Sequence, residues 1–392
     1  MAEPRAVIMP FIYTDHERLL QTTMRDFADK EIAPLAAGWD EREEFPWASI
    51  DALKNMDLMG LTIPSEYGGA GASYGDMCVT GEEIGRACMT TCTTYLTHLS
   101  LSAASIVAFG TPEQKQCFLP AMATGEKLGA FGLTEPSSGS DASDMHTTAV
   151  DQGDVYVLNG GKTFITNGHE CDVMVVFTSH DRSKGAKGTT AFIVERGTEG
   201  FETKPQHGKM GIRGSGTAEV TFNDCEVPAA NRLGEEGDGF KIAMSIIDSS
   251  RISLATQSVG LAQAAFEAAV RYVQQRETFG ELLKERQAIQ FMIADMATQI
   301  DAARLLTRRA AELKDAGMGH NRESAMAKLH ASETAHLCVD RAVQIFGGYG
   351  YFRESLVERL YRDQRITEIY EGTSEVQRIV ISRSVLKDMA ID

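Results

Sequence analysis

Residues 365–378 read RITEIYEGTSEVQR, and the group there with a chemistry of its own is Glu371. A glycine that stops one helix and a hydroxyl that caps the next account for Gly372 and for Thr373 or Ser374. They leave no reason for an acid next to Ile369 and Tyr370. Burial beside those two side chains would raise its carboxyl pKa. Two further stretches, GLTEPSSGSDASD (132–144) and GGKTFITNG (160–168), set small residues and hydroxyls at close spacing, and so does the longer QIFGGYGYFRESLVERLYRDQRITEIYEGTSEVQR (344–378). Small residues let backbone amides approach a phosphate or a flat ring, and hydroxyls bond its heteroatoms. Singly, each stretch also reads as a turn, a strand with its turn, or a helix broken by glycines.

Other chemistries lack their residues. No GxGxxG follows a strand, and GxxxxGK[ST] and HExxH are absent, which removes the main supports of Rossmann, P-loop and zincin sites. The nine histidines are scattered, and His330 and His336 stand six apart, off one helical face, so no metal site is expected. A net charge of −17 without clustered Lys and Arg argues against nucleic acid. Seven cysteines without a CxxC pair read as small buried hydrophobes in a reducing compartment. The N-terminal MAEPRAVIMPFIYTDHERLL has an apolar patch too short and proline-broken for a signal or membrane segment, so a cytoplasmic protein is expected, with no membrane partner.

At 392 residues the chain exceeds what one core supports, so two or three packed units are expected. All ten prolines lie at or before Pro228, and the 164 residues that follow are expected to form long helices. One such helix presents Ile289, Ile293, Met296, Ile300 and Ala303 on its apolar face, with Arg304, Arg308 and Glu312 at the facing polar positions. Between about 129 and 228 the runs DVYVLNG, DVMVVFTS, TTAFIVE and AEVTFNDCEVP, separated by Gly and Asn turns, read as strands. Before 129, LLQTTMRDFADKEIAPLA and EEIGRACMTTCTTYLTHLSLSAASIVAFG read as helices, separated by the loop PSEYGGAGASYGD. The fold class is α+β: an N-terminal helical domain (1–128), a central β domain (129–235) and a C-terminal helical bundle (236–392).

Together the three stretches resemble the acyl-CoA dehydrogenase family, from end to end and in the order the family uses them. GLTEP followed by SGSD resembles the first family signature, and Gln344 through Asp363 fits the second, QxxGGxGYxxExxxxRxxxD, at every fixed position. RDQRITEIYEGTSEVQR, KMGIRGSGTAEVTFNDCEVP, GFKIAM and DSSR are most similar to the short-chain (butyryl-CoA) or short-branched-chain branch. The family fold is an N-terminal α domain, a central β domain and a C-terminal four-helix domain.

The resemblance implies an oxidoreductase that holds FAD noncovalently without a Rossmann motif. Phe131, Gly132, Leu133, Thr134, Glu135, Pro136, Ser137, Ser138, Gly139 and Ser140, with Phe164, Ile165 and Thr166, would line the flavin, Thr134 and Thr166 bonding its ring edge. Thr373, Ser374 and Glu375 would return to it. Arg276, Gln287 and Gln344, Ile345, Phe346, Gly347 and Gly348 match the positions with which a neighbouring subunit grips FAD in this family, which implies a homotetramer. Ser140, Asp248, Ser249, Ser250 and Arg251 match substrate-binding positions, although Arg251 could equally pair with Asp248, and Gly372 would pass the thioester. Glu371 would take the α-proton while hydride leaves the β-carbon for flavin N5, giving a trans-2-enoyl-CoA, with an electron-transfer flavoprotein as acceptor. Tyr95, Leu96, Leu99 and Leu101 would reach or back the acyl pocket. Alternatives are a branched, cyclic or dicarboxylic acyl-CoA, or a scaffold without catalysis. The absence of arginine between Arg86 and Arg182 counts against a dicarboxylate.

Overall fold

The computed structural model describes residues 13–390, and the first twelve residues of the N-terminal apolar patch lie outside them. The N-terminal part consists of α1 (Asp15–Phe27), α2 (Ala36–Arg42), α3 (Trp47–Asn55), α4 (Tyr74–Ala87), α5 (Met89–Leu96), α6 (Ala104–Phe109) and α7 (Pro112–Ala123), with a π-helical turn, Thr97–Ala103, joining α5 to α6. Three of these helices start on a capping box, Thr14 with Glu17, Ser73 with Asp76 and Thr111 with Gln114. The run EEIGRACMTTCTTYLTHLSLSAASIVAFG, expected as one helical segment, breaks at Cys88, whose backbone is extended (φ −157°, ψ 110°). Neither glycine nor proline marks that break. The stretch Met89–Phe109 is long and apolar enough to cross a bilayer, and 78% of its most apolar window is buried inside the protein.

The central strands are β1 (Gly129–Gly132), β2 (Thr148–Asp151), β3 (Val155–Ile165), β4 (Val173–Ser179), β5 (Thr189–Glu195), β6 (Phe201–Pro205), β7 (Ala218–Pro228) and β8 (Arg232–Leu233). They form one sheet in the order β6-β7-β3-β2-β4-β5-β8, with β1 alongside β4 in parallel, Gly129 opposite Val173. β4 and β5 are apolar without alternation because both of their faces are covered. Val173, Val175, Phe177, Ala191 and Ile193 enter the main core shared with the helices, while Met174, Val176, Phe192 and Val194 enter a smaller core within the β domain.

The proline-free third folds as α8 (Gly239–Val273), a short hairpin β9 (Glu277–Thr278) and β10 (Glu281–Leu282), α9 (Gln287–Asp315), α10 (Asn321–Phe346), α11 (Leu356–Gln364) and α12 (Ser374–Asp388). Asp363, the last fixed position of the second signature, is buried and accepts a hydrogen bond from the Ile212 backbone N–H, which docks the loop KMGIRGS onto α11. Burial pushes the Asp363 pKa up to about 6. Of the seven cysteines six are buried, and Cys117 is exposed, against the expectation for that residue.

The polar side of α9 departs from expectation. Arg304 and Arg308, two of the polar positions that face the apolar stripe, are largely enclosed against the N-terminal helices. Arg304 forks onto Glu82 of α4, its Nη2 2.7 Å from Oε1, and Arg308 pairs with Glu17 while donating to the Gly75 carbonyl at 2.8 Å. Helical periodicity marks a polar stripe, and only the neighbouring domain decides whether water or an acid meets it. Removing one partner of a buried pair leaves an uncompensated charge, a loss of about 3–5 kcal/mol, whereas apolar replacement of both is often neutral. Arg304→Met is therefore expected to lower the chemical-unfolding midpoint, and the double change Arg304→Met with Glu82→Met to recover most of it.

Candidate active site

The corner that carries Glu371 lies between the 3₁₀ turn Arg365–Glu368 and the start of α12, which Thr373 caps by accepting from the Val376 N–H at 3.3 Å. Glu371 and Gly372 both occupy the left-handed region, at φ 53° and 91°. For glutamate this is uncommon, and such residues persist only where their surroundings hold them. The corner's carbonyls supply that hold. Gln377 Nε2 of α12 donates to the Glu371 oxygen (3.2 Å) and the Gly372 oxygen (2.8 Å), and Lys328 Nζ of α10 donates to the same Gly372 oxygen at 2.7 Å. A Cβ at Gly372 would lie 2.6 Å from Gln377 Nε2, so glycine serves the close approach as well as the turn. The Glu371 N–H has no acceptor among the described residues.

The carboxyl of Glu371 accepts a hydrogen bond from Ser250 Oγ at 2.6 Å. Burial pushes its pKa up to about 7, opposed by the Ser250 bond and by the charges of Lys328 and Arg251. Tyr370 contributes to that burial, its hydroxyl bonded to Gln257, which also accepts from Thr93 at 3.1 Å. Ile369 does not: it is 48% exposed, so the walls are α8, α10 and α12 rather than the residue two positions earlier. Arg251 is buried and paired with Asp248 at 2.7 Å, the i,i+3 pair foreseen as its alternative, and its Nε has no partner among the described residues. Ser249 turns from the corner and donates to the Ser245 carbonyl at 3.3 Å.

The loop after β1 is tied from within. Glu135 is buried, and its carboxylate takes Lys162 Nζ at 2.7 Å and the N–H groups of His146 (2.6 Å) and Thr147 (2.9 Å), so its side chain braces the loop and does not line it. Lys162 reaches it from β3, where register shifts flank Gly160 and Ile165. Thr163 N–H bonds the Thr134 carbonyl at 2.9 Å, joining the loop to β3. Phe131 packs on Phe177, and Gly132 lies under Met174. Leu133 and Thr166 are half-buried; Pro136, Ser137, Gly139 and Ser140 are exposed, while Ser138 closes the turn onto the Asp141 carbonyl at 2.6 Å. Phe164, at φ 59°, is 69% exposed. Ile165 points into the small β-domain core, which removes its side chain from the candidate cofactor surface.

A second constellation is separate. Tyr272, Arg276, Leu283, Phe346, Gly347 and Gly348 line a cavity of about 730 Å³, to which neither the Glu371 corner nor the 131–140 loop contributes. Tyr272 and Phe346 stack at 4.1 Å, and the Arg276 guanidinium lies 5.6 Å from the Tyr349 ring centre. A Cβ on Gly347 or Gly348 would meet only open space. Ile345 is buried at its floor, and Gln287 and Gln344 are exposed.

Three family models cover the chain: the acyl-CoA dehydrogenase N-terminal domain at residues 14–126, the middle domain at 130–225 and the C-terminal domain at 237–386. The chain belongs to the acyl-CoA dehydrogenase family. It is 45% identical to the short-chain specific acyl-CoA dehydrogenase of Clostridium acetobutylicum, across 97% of this chain and 100% of that one. The structure of butyryl-CoA dehydrogenase from Megasphaera elsdenii matches 96% of this chain and all of its own, with a TM-score of 0.94 and 44% identity. A chain solved in work on the electron transferring flavoprotein of Acidaminococcus fermentans and flavin-based electron bifurcation matches 97% and 100%, with a TM-score of 0.95 and 46% identity.

Within this acyl-CoA dehydrogenase, Glu371, Gly372, Ser250 and Arg251 come together, and Thr373 and Ser374 follow directly, the Ser374 hydroxyl buried with no partner among the described residues. Glu375 is exposed. Tyr95, Leu96, Leu99 and Leu101 are all buried, and the Tyr95 hydroxyl is bonded to the Leu58 carbonyl at 3.0 Å. Sequence reasoning missed Lys328, Gln377 and Lys162. A signal existed for Lys328, a lone cation on a helical face otherwise made of Ser324, Ala327, Ala331 and Ala335.

Proposed function

We propose that this acyl-CoA dehydrogenase removes the α-proton and β-hydride of a short-chain acyl-CoA, with Glu371 as base, FAD as the bound cofactor and an electron-transfer flavoprotein as acceptor. The observation that carries the reading is the corner itself: a carboxyl held near neutral pKa, on a residue whose own amide N–H has no acceptor among the described residues. A thioester α-proton is a very weak acid, so its removal needs donors at the carbonyl oxygen where charge develops. The Glu371 N–H is such a donor, and the Glu371 carboxylate is the proton's destination. Ser250 and the carbonyl bonds from Lys328 and Gln377 keep both parts of that residue in place.

The residues fit FAD. Glycines 347 and 348 leave space beside a stacked aromatic wall and one guanidinium, which suits flat rings and phosphate. The exposed Ser137, Gly139 and Ser140 of the loop braced by Glu135 and Lys162, with Phe164 and half-buried Thr166 at the end of β3, offer hydroxyls and backbone. When bound, FAD supplies the acceptor for the β-hydride. Exposed Phe279 (98%), Tyr351 (83%) and Phe352 (65%) lie on the hairpin and the glycine segment beside the Arg276 cavity, which supports a homotetramer whose cofactor sites are shared between chains. The short acyl chain is supported by the short-chain specific and butyryl-CoA dehydrogenase relatives, and the acceptor by the chain from the electron transferring flavoprotein work.

Glu371→Gln keeps size and hydrogen bonding but removes the basic oxygen, so anaerobic bleaching of the flavin by substrate is expected to slow by about a hundred- to ten-thousand-fold with binding little changed. In the parent, the carboxyl pKa near 7 makes the base form grow as pH rises, so the bleaching rate should climb between pH 6 and 8 and level above. Bleaching by the variant within tenfold of the parent assigns the base elsewhere. Across an acyl-CoA panel, chains of about four to six carbons should react faster than those beyond ten. Arg276→Ala should lose FAD and the native oligomer together, and retention of both defeats the shared site.

A further inference from the structure

We propose that Lys328 is a positioning residue for Glu371: its ammonium clamps the Gly372 carbonyl to hold the left-handed corner, and its charge keeps the Glu371 carboxylate available as a base. The side chain of Lys328 is fully buried on α10, among small residues, yet it ends on a backbone oxygen rather than a carboxylate. A buried ammonium without a compensating charge is strongly unfavourable, so the protein must supply an anion close by. The candidates on each surrounding element can be sorted by their own partners. On α8, Asp248 is paired with Arg251. Before the corner, Glu368 is bonded to Arg365 and His336, and Tyr370 to Gln257. On α12, Glu375 is exposed, and Arg378 pairs with Glu333 of α10. On α11, Asp363 is buried as well, but it holds the Ile212 N–H among the charges of Arg359 and Arg362. Glu371 is the walled-in carboxylate whose charge acts on Lys328, and its bonded partner is the neutral hydroxyl of Ser250.

Lys328 and Glu371 therefore compensate each other across one peptide unit, Lys328 bonding the carbonyl of the residue next to the base. A carbonyl oxygen has two lone pairs, and Gln377 takes the other direction at 2.8 Å, so the Gly372 carbonyl is fully used by two side chains from two helices. Burial draws Lys328 down to about 8 and Glu371 up to about 7, and each is opposed by the other's charge. The role as positioning residue for a base rests on the proposed function, whereas the charge coupling does not.

The test uses Lys328→Met and Lys328→Arg in the FAD-loaded oligomer. Infrared difference spectra against Glu371→Gln follow the Glu371 carboxyl through a pH titration, and single-turnover flavin reduction by butyryl-CoA is measured over the same range. An opposite charge within a few ångströms lowers a carboxyl pKa by about one to three units. With Lys328→Met both midpoints are expected to rise by about one unit or more, so that reduction at pH 7 falls about fivefold or more and recovers in alkali. Lys328→Arg is expected to stay near the parent. Midpoints unmoved by Lys328→Met overturn the proposal, as does a pH-independent loss of rate with an unchanged carboxyl titration. A shifted carboxyl with an unchanged reduction profile keeps the coupling and overturns Glu371 as base. Should Lys328→Met fold poorly, thermal unfolding at pH 8 in parent and Glu371→Gln backgrounds decides the matter. A smaller loss in the Gln background supports the coupling, and equal losses refute it.

Discussion

A glutamate forced into left-handed backbone, with its carboxyl inside the protein, is unfavourable twice over, in strain and in desolvation. Everything around Glu371 can be understood as what makes that arrangement persist. Ser250 from α8 bonds the carboxyl, Lys328 from α10 and Gln377 from α12 bond the carbonyls on either side of the corner peptide, and Gly372 leaves room for the Gln377 amide. Three helices must therefore be fixed relative to one another before the corner can exist. That requirement explains a bundle made of unusually long, proline-free helices, since α8 runs for 35 residues and α10 for 26.

Fixing those helices falls partly to the N-terminal domain. Arg304 and Arg308 of α9 are largely enclosed in pairs with Glu82 and Glu17, and the Gly75 carbonyl takes a further bond from Arg308. On the other side, β4 and β5 send alternate side chains into two cores, so the sheet is locked to the helices through one face and to its own remaining strands through the other. Asp363 adds a third tie, holding the KMGIRGS loop of the β domain against α11, one short helix upstream of the corner.

Buried charge recurs as the device that shapes loops here. Glu135 with Lys162 braces the glycine- and serine-rich loop after β1, and Lys328 beside Glu371 braces the corner. In both cases a lysine reaches a backbone carbonyl as well as lying near an acid, Lys162 touching the Leu133 oxygen at 3.2 Å. A buried pair is weak evidence of net stability, but it discriminates strongly among loop conformations, because any arrangement that separates the charges strands one of them in a low-dielectric interior. Glu135 and Lys162 form an ion pair that supports a loop, whereas Lys328 reaches the Gly372 carbonyl beside a carboxyl that burial pushes up to about 7.

Much of this was legible in the residues alone. The end of the prolines at Pro228, the runs that became β4 and β7 and the helix stop at Gly372 with its hydroxyl cap are local patterns, and local patterns follow from backbone period and hydrogen-bonding preference. Glu371 stood out for the same reason, as an acid with no part in the helix stop beside it. What the sequence could not decide was which polar groups end up without water. Lys162 meets Glu135 across 27 residues, Lys328 meets Gly372 across 44, and Ser250 meets Glu371 across 121. Arg304 and Arg308 belong to a polar stripe by period yet are largely enclosed, and Ile369 is apolar yet 48% exposed. Whether a charge is desolvated, and which partner then compensates it, is a property of neighbours brought together by packing, so it appears only once the helices and the sheet are assembled.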